Sequence, residues 1–151
     1  MQREIALCQP VVAGVSEGYA LVSSEPFSFW GDLDPKTGSI INPRSSLFGE
    51  SVKNRVFVYP GGRGSSTTSA ILLEAIRCSN APCAIINMQV EPIIAIGILV
   101  AQEIYDNVVL PVAAVSEEAF HRLQTGDYLL VDTVVGKLYK REPGQQVKGQ
   151  T

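Results

Sequence analysis

The chain has 151 residues, about the length of one domain, and its 46% hydrophobic and 18% charged residues are typical of a globular protein with a sizeable core. The formal net charge of -3 gives no sign of the basic face that binding to nucleic acid or an anionic membrane requires. The longest uncharged apolar stretch, residues 92–101, is about half the ~20 residues that span a bilayer.

The first third of the chain is predicted to contain short strands and a long irregular segment. Residues 11–15 and 19–23 are rich in β-prone side chains, and the Ser-Glu-Gly sequence between them is typical of a hairpin turn. Prolines and turn residues interrupt any regular period from residue 24 to residue 50. We expect this segment to be ordered, because it carries aromatic side chains that favour burial: Phe27, Phe29, Trp30 and Phe48.

The centre of the chain alternates strands with helices. Residues 55–59 are predicted to form a strand, and residues 67–77 carry apolar side chains at the spacing of one helix face. A short buried strand is predicted at 83–87, followed by a second helix over 91–105 with proline in its first turn. Because this second helix is apolar nearly all round, we expect it to be buried or covered by a partner.

The last third is predicted to return to strands around one short helix. The strands cover 108–115, 128–131 and 134–139, and the helix covers 117–123. The strand–helix–strand–helix–strand centre favours parallel pairing, flanked by antiparallel hairpins. The sequence therefore predicts an α/β, barrel-like single domain over residues 1–141, with residues 142–151 as a flexible polar tail.

A glycine-rich loop, Gly61-Gly62-Arg63-Gly64-Ser65-Ser66, lies between a predicted strand and a predicted helix. Glycines let a ligand approach the backbone closely, and the first N–H groups of a helix attract an anion. Capping of the helix by Ser65 or Ser66 is the purely structural alternative. The loop lacks the lysine of a phosphate-binding P-loop, and Thr67 stands where a dinucleotide-binding fingerprint has its third glycine.

The chain offers no obvious partner to activate a serine of this loop. Its only histidine, His121, lies on the predicted short helix and is more typical of a surface residue than of a catalytic base. A serine is a weak base or nucleophile without an activating neighbour. If Ser65 takes part in chemistry, help must come from Arg63, from backbone donors or from another polypeptide.

The three cysteines, Cys8, Cys78 and Cys83, cannot all pair within one chain and form no C-x-x-C motif. Reduced thiols in the cytosol explain them better than a metal or redox role. The N-terminus carries an acidic residue and an early proline, which are not typical of a signal peptide. We therefore expect a cytoplasmic protein.

A set of short motifs between about residue 14 and residue 139 resembles the small subunit of aconitase X-type dehydratases. Their order along the chain is also that of the family. The most telling motifs are Ala20-Leu-Val-Ser-Ser-Glu-Pro-Phe-Ser-Phe-Trp-Gly, Asp34-Pro-Lys-Thr-Gly, Leu47-Phe-Gly-Glu-Ser, Gly62-Arg-Gly-Ser-Ser, Ala81-Pro-Cys-Ala-Ile-Ile and Glu91-Pro-Ile-Ile-Ala-Ile-Gly.

The resemblance implies a swivelling β/β/α domain similar to the mobile fourth domain of aconitase. Such a domain works against a large subunit, as a heterodimer or a higher assembly, and is not expected to be active alone. The resemblance places an iron or iron–sulfur centre in the large subunit and no cofactor on this chain.

Site residues follow from the same resemblance. Ser65 is implied as the base that takes a proton from a hydroxy-acid substrate. Arg63, Gly64 and Ser66 are implied to bind the substrate, together with Ser28 in a loop that lines the shared cleft. One departure stands out, because Ser45-Ser46 occupy the place of an expected His-Pro pair.

The substrate remains open between two branches of the family. The hydroxyl-rich run over residues 65–69, with Phe29 and Trp30, favours the dehydration of cis-3-hydroxy-L-proline to Δ1-pyrroline-2-carboxylate. The alternative is dehydration of 5-phosphomevalonate to anhydromevalonate phosphate. An alternative of another class is a non-catalytic anion-binding or regulatory swivel domain, which the missing histidine would suit.

Overall fold

The computed structural model describes residues 2–62 and 67–143 as ten strands and four helices. The strands are β1 (Arg3–Leu7), β2 (Gln9–Val12), β3 (Val15–Val22), β4 (Leu33–Asp34), β5 (Ser39–Ile40), β6 (Val56–Val58), β7 (Ala84–Asn87), β8 (Val112–Ala114), β9 (Tyr128–Asp132) and β10 (Lys137–Lys140). The helices are α1 (Phe29–Asp32), α2 (Thr68–Arg77), α3 (Pro92–Ile104) and α4 (Glu117–Arg122).

Eight of the strands form one mixed sheet in the order β1-β10-β9-β3-β6-β7-β8-β2. The four central strands β3, β6, β7 and β8 are parallel, and the outer pairings are antiparallel. The two edge strands, β1 and β2, are separated in the chain by Cys8 alone, so the chain joins one edge of the sheet to the other. The predicted α/β, barrel-like fold is therefore confirmed.

Side chains of the parallel strands alternate between two hydrophobic cores. Phe57 and Ile85 belong to the core that also contains Leu72 of α2 and Ile98 of α3. The neighbouring residues of the same strands point the other way, toward α4 and the antiparallel strands, where Leu129 packs. This period of two explains why the central strands read as continuous hydrophobic runs, since both of their faces are covered.

The predicted hairpin between residues 11 and 23 is wrong, because residues 15–22 form the single strand β3. Gly18, which suggested the turn, is buried inside that strand. A methyl group on Gly18 would lie 2.9 Å from the Asn54 carbonyl oxygen and 2.9 Å from the Cys83 sulfur. The glycine is thus required by close packing rather than by a turn. Strand β1 was not predicted from the sequence.

The segment over residues 24–50 is ordered, as expected, but its aromatic residues divide into two groups. Phe27 and Phe29 are buried and pack edge-on against one another, with ring centroids 5.2 Å apart. Trp30 and Phe48 are instead largely exposed, so the expectation of burial is wrong for them. The short helix α1 and the β4–β5 hairpin supply the regular structure of this segment.

Helix α3 is apolar all round but buries only one side. Ile94, Ile98 and Ala101 lie in the core, whereas Ile96, Leu99 and Ile104 on the other side are 55%, 52% and 60% exposed. Within the described part of the chain, no helix is long and apolar enough to cross a membrane. The proposed domain boundary at residue 141 stays a prediction, and most of the predicted tail, residues 144–151, lies outside the described residues.

Candidate functional site

The glycine-rich loop begins at the carboxyl end of β6, on the sheet edge where the parallel neighbours β3 and β7 also end. The Gly61 carbonyl oxygen accepts a hydrogen bond of 3.1 Å from the Phe27 N–H, and Gly62 forms an isolated bridge with Phe27. The predicted base and three predicted substrate-binding residues lie outside the described residues, and their roles stay predictions: Ser65, Arg63, Gly64 and Ser66.

Ser28, the remaining predicted substrate-binding residue, lies in the described part of the site. Its backbone N–H donates to Asp32 Oδ2 over 2.9 Å, and its side chain makes no capping hydrogen bond to α1. Asp32 is itself buried, and its Oδ1 accepts from Asn42 Nδ2 at 2.7 Å. Because Ser28 directly follows Phe27, the fold places it near Gly62. Its contact with a substrate stays a prediction.

A cavity of about 430 Å³ adjoins this segment. It is lined by Ser23, Glu25, Pro26, Phe27, Asp32, Asn42, Arg44 and Ser45. Ser45 is one of the two serines that replace the expected His-Pro pair, and its Oγ accepts from the Leu47 N–H at 3.1 Å. The departure from the family pattern therefore borders the same cavity as the buried Asp32 carboxylate.

Three buried side-chain oxygens at the carboxyl edge have no hydrogen-bond partner within the described structure: Tyr59 Oη, Asn87 Oδ1 and Glu91 Oε1. Tyr59 directly follows β6, Asn87 ends β7, and Glu91 directly precedes α3. The nitrogen of the Asn87 amide does have a partner, because Nδ2 donates a hydrogen bond of 3.0 Å to the Tyr59 carbonyl oxygen. Buried polar atoms are nearly always paired, so three unpaired ones at a single edge indicate a functional site.

The Glu91 carboxylate lies directly against the glycine-rich loop. A methyl group on Gly62 would be 2.7 Å from both carboxylate oxygens, which is closer than packed atoms tolerate. Burial raises the pKa of Glu91 to about 6. Burial, together with the charge of Glu91, holds the pKa of Tyr59 well above its ordinary value, so that its hydroxyl remains neutral. The edge thus combines a carboxyl whose pKa is raised to about 6 with a neutral phenol.

Sequence reasoning missed Tyr59, Asn87 and Glu91 as site residues. Each stands at the end of a predicted strand or at the start of a predicted helix, where a polar residue is ordinary. The available signal was that consecutive parallel strands end at one edge, so polar residues at their carboxyl ends meet there.

Other candidate groups of the chain gain no role in the site. His121 is exposed on α4, with Nε2 3.6 Å from Glu117 Oε1, as expected for a surface residue. The three cysteines form no disulfide, and burial with the Asp132 charge raises the pKa of the Cys8 thiol to about 11. Among residues 2–62 and 67–143, no three His, Cys, Asp or Glu side chains are grouped to hold a metal ion. The expectation that this chain binds no cofactor stays a prediction.

Comparisons with known proteins agree over nearly the whole chain. The model of the aconitase X swivel domain family matches residues 5–139. The phosphomevalonate dehydratase small subunit of Methanosarcina mazei is 36% identical over 138 residues, which cover 89% of this chain and 91% of that protein. The cis-3-hydroxy-L-proline dehydratase of Pseudomonas aeruginosa is 38% identical over 107 residues, which cover 71% of this chain but 18% of that protein.

A solved structure has the same fold. The crystal structure of Thermococcus kodakaraensis aconitase X in its holo-form superposes with a TM-score of 0.81 and 29% identity. The match covers 94% of this chain and 99% of that one. The similarity therefore extends to the whole architecture, including the edge at which the glycine-rich loop begins.

Proposed function

The chain belongs to the aconitase X swivel domain family as the small subunit of a dehydratase, and on that premise we propose that it removes water from 5-phosphomevalonate together with a large subunit. The support for this substrate is a relative of matching length, since the M. mazei phosphomevalonate dehydratase small subunit is covered over 91% of its length. The hydroxyl-rich run over residues 65–69 favours cis-3-hydroxy-L-proline. The similarity to phosphomevalonate dehydratase small subunits makes 5-phosphomevalonate the preferred substrate instead.

In the proposed reaction, Ser65 is the base. Its Oγ takes a proton from the carbon next to the substrate carboxylate, and a carbon–carbon double bond forms as the bond from the neighbouring carbon to its hydroxyl breaks. A second proton, delivered to the departing hydroxyl, makes it water. We propose that the anionic groups of the substrate are bound by Arg63, Gly64, Ser66 and Ser28. The observation that carries this assignment is that the loop starts at Gly61 on the carboxyl edge of the parallel strands. Three buried oxygens at that edge have no partner in the described part of the chain.

The large subunit is proposed to cover the outward face of α3. This face exposes Ile93, Ile96, Leu99, Val100 and Ile104, which is unusual for a helix open to water. Glu91 precedes the helix and contacts Gly62, so a chain docked on α3 also borders the site. The partner is further proposed to hold an iron or iron–sulfur centre, which would supply Lewis-acid assistance to the loss of the hydroxyl.

Dehydration of cis-3-hydroxy-L-proline is a second candidate. It is favoured by the 38% identity to the P. aeruginosa enzyme over 107 residues. The match covers 18% of that protein, so the similarity concerns one portion of a much longer chain. Both candidates lose a hydroxyl and a neighbouring proton, and the same Ser65 would serve either substrate.

The test is to coexpress the chain with its large subunit and to measure the dehydration of both substrates by the purified complex. We expect turnover of 5-phosphomevalonate. Ser65→Ala should lower it by about a hundredfold or more with assembly intact, because a positioned base contributes that much. Ser69→Ala, four residues along on α2, is the matched control and should retain the wild-type rate. Turnover of cis-3-hydroxy-L-proline alone would reverse the choice of substrate, and an active Ser65→Ala complex would contradict the role of Ser65.

A further inference from the structure

The unpaired oxygens at the carboxyl edge lack hydrogen-bond donors. Asn87 Oδ1 and Glu91 Oε1 are acceptors, and the Tyr59 hydroxyl can donate one hydrogen. None of these three atoms forms a hydrogen bond with another, so Glu91 Oε1 receives no hydrogen from Tyr59. A buried carboxylate oxygen without a donor favours the neutral acid, which carries the proton itself.

The surroundings of Glu91 favour the protonated form. Its Oε1 is fully buried and unpaired, and burial raises the pKa of Glu91 to about 6. Tyr59, which follows β6, is close enough to feel the charge of Glu91, and its own raised pKa keeps the phenol neutral. Arg63 follows Gly62 in the chain and lies outside the described residues. A guanidinium close to the carboxyl would lower the pKa, so a direct titration must measure the net effect.

Glu91 also lies where a proton could be used. The contact with Gly62 places the carboxylate at the start of the glycine-rich loop, and the residue as a whole is only partly buried. A carboxylic acid in a partly apolar site is a common proton donor to a departing oxygen.

We propose that Glu91 is the proton donor of this dehydratase, a catalytic residue that protonates the hydroxyl as it leaves. This inference rests on the proposed function. The proton moves from the Glu91 carboxyl to the leaving oxygen, the carbon–oxygen bond breaks and water departs. The base keeps the proton taken from carbon, and its transfer to the Glu91 carboxylate, directly or through water, restores both groups. No oxidant or further reactant is needed.

The first test measures kcat/KM of the complex against pH for the wild type, Glu91→Gln and Glu91→Asp. We expect the wild-type value to fall on the alkaline side as Glu91 loses its proton. Glu91→Gln should lower kcat/KM by about a hundredfold or more and should lack this alkaline fall. Glu91→Asp should partly restore the rate and the alkaline fall. Glu118→Gln, which removes an exposed carboxylate on α4, is the control and should match the wild type. A Glu91→Gln complex with wild-type rates and an unchanged profile would overturn the proposal.

A second test does not depend on activity. Carbon-13 NMR of the full chain labelled at glutamate carboxyls, with the Glu91 signal assigned by its loss in Glu91→Gln, gives the pKa directly. A value near 6 supports the proton site, and a value at or below the ordinary 4.5 overturns it. If the wild-type complex dehydrates no substrate, the proposed function fails, and the NMR titration still decides whether Glu91 binds the proton.

Discussion

The antiparallel side of the sheet and the carboxyl edge of its parallel strands differ in whether their buried polar groups have hydrogen-bond partners. On the antiparallel side, the buried Thr133 hydroxyl lies 2.7 Å from the Val12 carbonyl oxygen and 3.0 Å from that of Gly14. Arg141 also forms an ion pair with Glu17 across this side. At the carboxyl edge, three buried oxygens have no partner in the described structure. The first region pairs these buried groups within the chain, and we propose that the second is completed by a proton, a substrate or a partner.

The largest expected effect is on assembly, through the apolar face that adjoins the incomplete edge. Ile96→Asp combined with Leu99→Asp should abolish binding of the large subunit, because two charges would have to be buried without partners in the interface. Copurification and analytical ultracentrifugation measure the complex. Val134→Asp is the control, since Val134 is 69% exposed in the turn between β9 and β10 and should not affect binding. A stable complex of the double variant would exclude α3 as the docking face.

The next effect is on catalysis, through the contact between Gly62 and Glu91. Gly62→Ala adds a methyl group 2.7 Å from both carboxylate oxygens, so the flexible side chain of Glu91 must move away. We expect kcat/KM to fall by about tenfold or more while the melting temperature changes little. Gly61→Ala is the matched control, because its methyl group would lie at an ordinary 3.4 Å from the nearest atoms. Equal activity of both variants would show that the position of Glu91 does not matter.

Removing one buried hydroxyl from each region should change the free energy of unfolding by different amounts. Thr133→Val deletes the donor to the Val12 carbonyl oxygen and should lower the free energy of unfolding by about 1–3 kcal/mol. Tyr59→Phe deletes a buried hydroxyl that has no hydrogen-bond partner among the described residues, so the isolated chain should lose little stability. Urea unfolding of the full-length variants measures both. A loss for Tyr59→Phe as large as that for Thr133→Val would remove the distinction between the two regions.

The smallest effect is a pH dependence of stability at the carboxyl edge. Because the pKa of Glu91 is raised from 4.5 to about 6, the folded chain binds its proton more tightly than the unfolded chain. That stabilisation is complete below pH 4.5 and is lost as the pH rises through 6. The melting temperature of Glu91→Gln, minus that of the wild type, should therefore increase as the pH rises from 4.5 through 6. Above that range the difference should stay constant. A difference independent of pH would mean that Glu91 has its ordinary pKa.

Prediction from sequence succeeded where structure is local and failed where it depends on distant contacts. The helix predicted over 67–77 is observed as Thr68–Arg77, because its apolar spacing is set by the helix itself. Gly18 misled the prediction, because its role is to fit beneath Asn54 and Cys83, which are far away in the chain. The motifs around Ser65 were informative for the family, and its catalytic role remains a prediction.

The sequence by itself determined the order of the central strands and helices, their parallel pairing and the family, since hydrophobic period and short motifs are properties of neighbouring residues. Only the tertiary structure decided which polar groups meet. Tyr59 and Asn87 are 28 residues apart and come together because two parallel strands end at one edge. The same packing brings Glu91 against Gly62 and leaves its buried oxygen without a donor from residues 2–62 and 67–143, which no local pattern could have revealed.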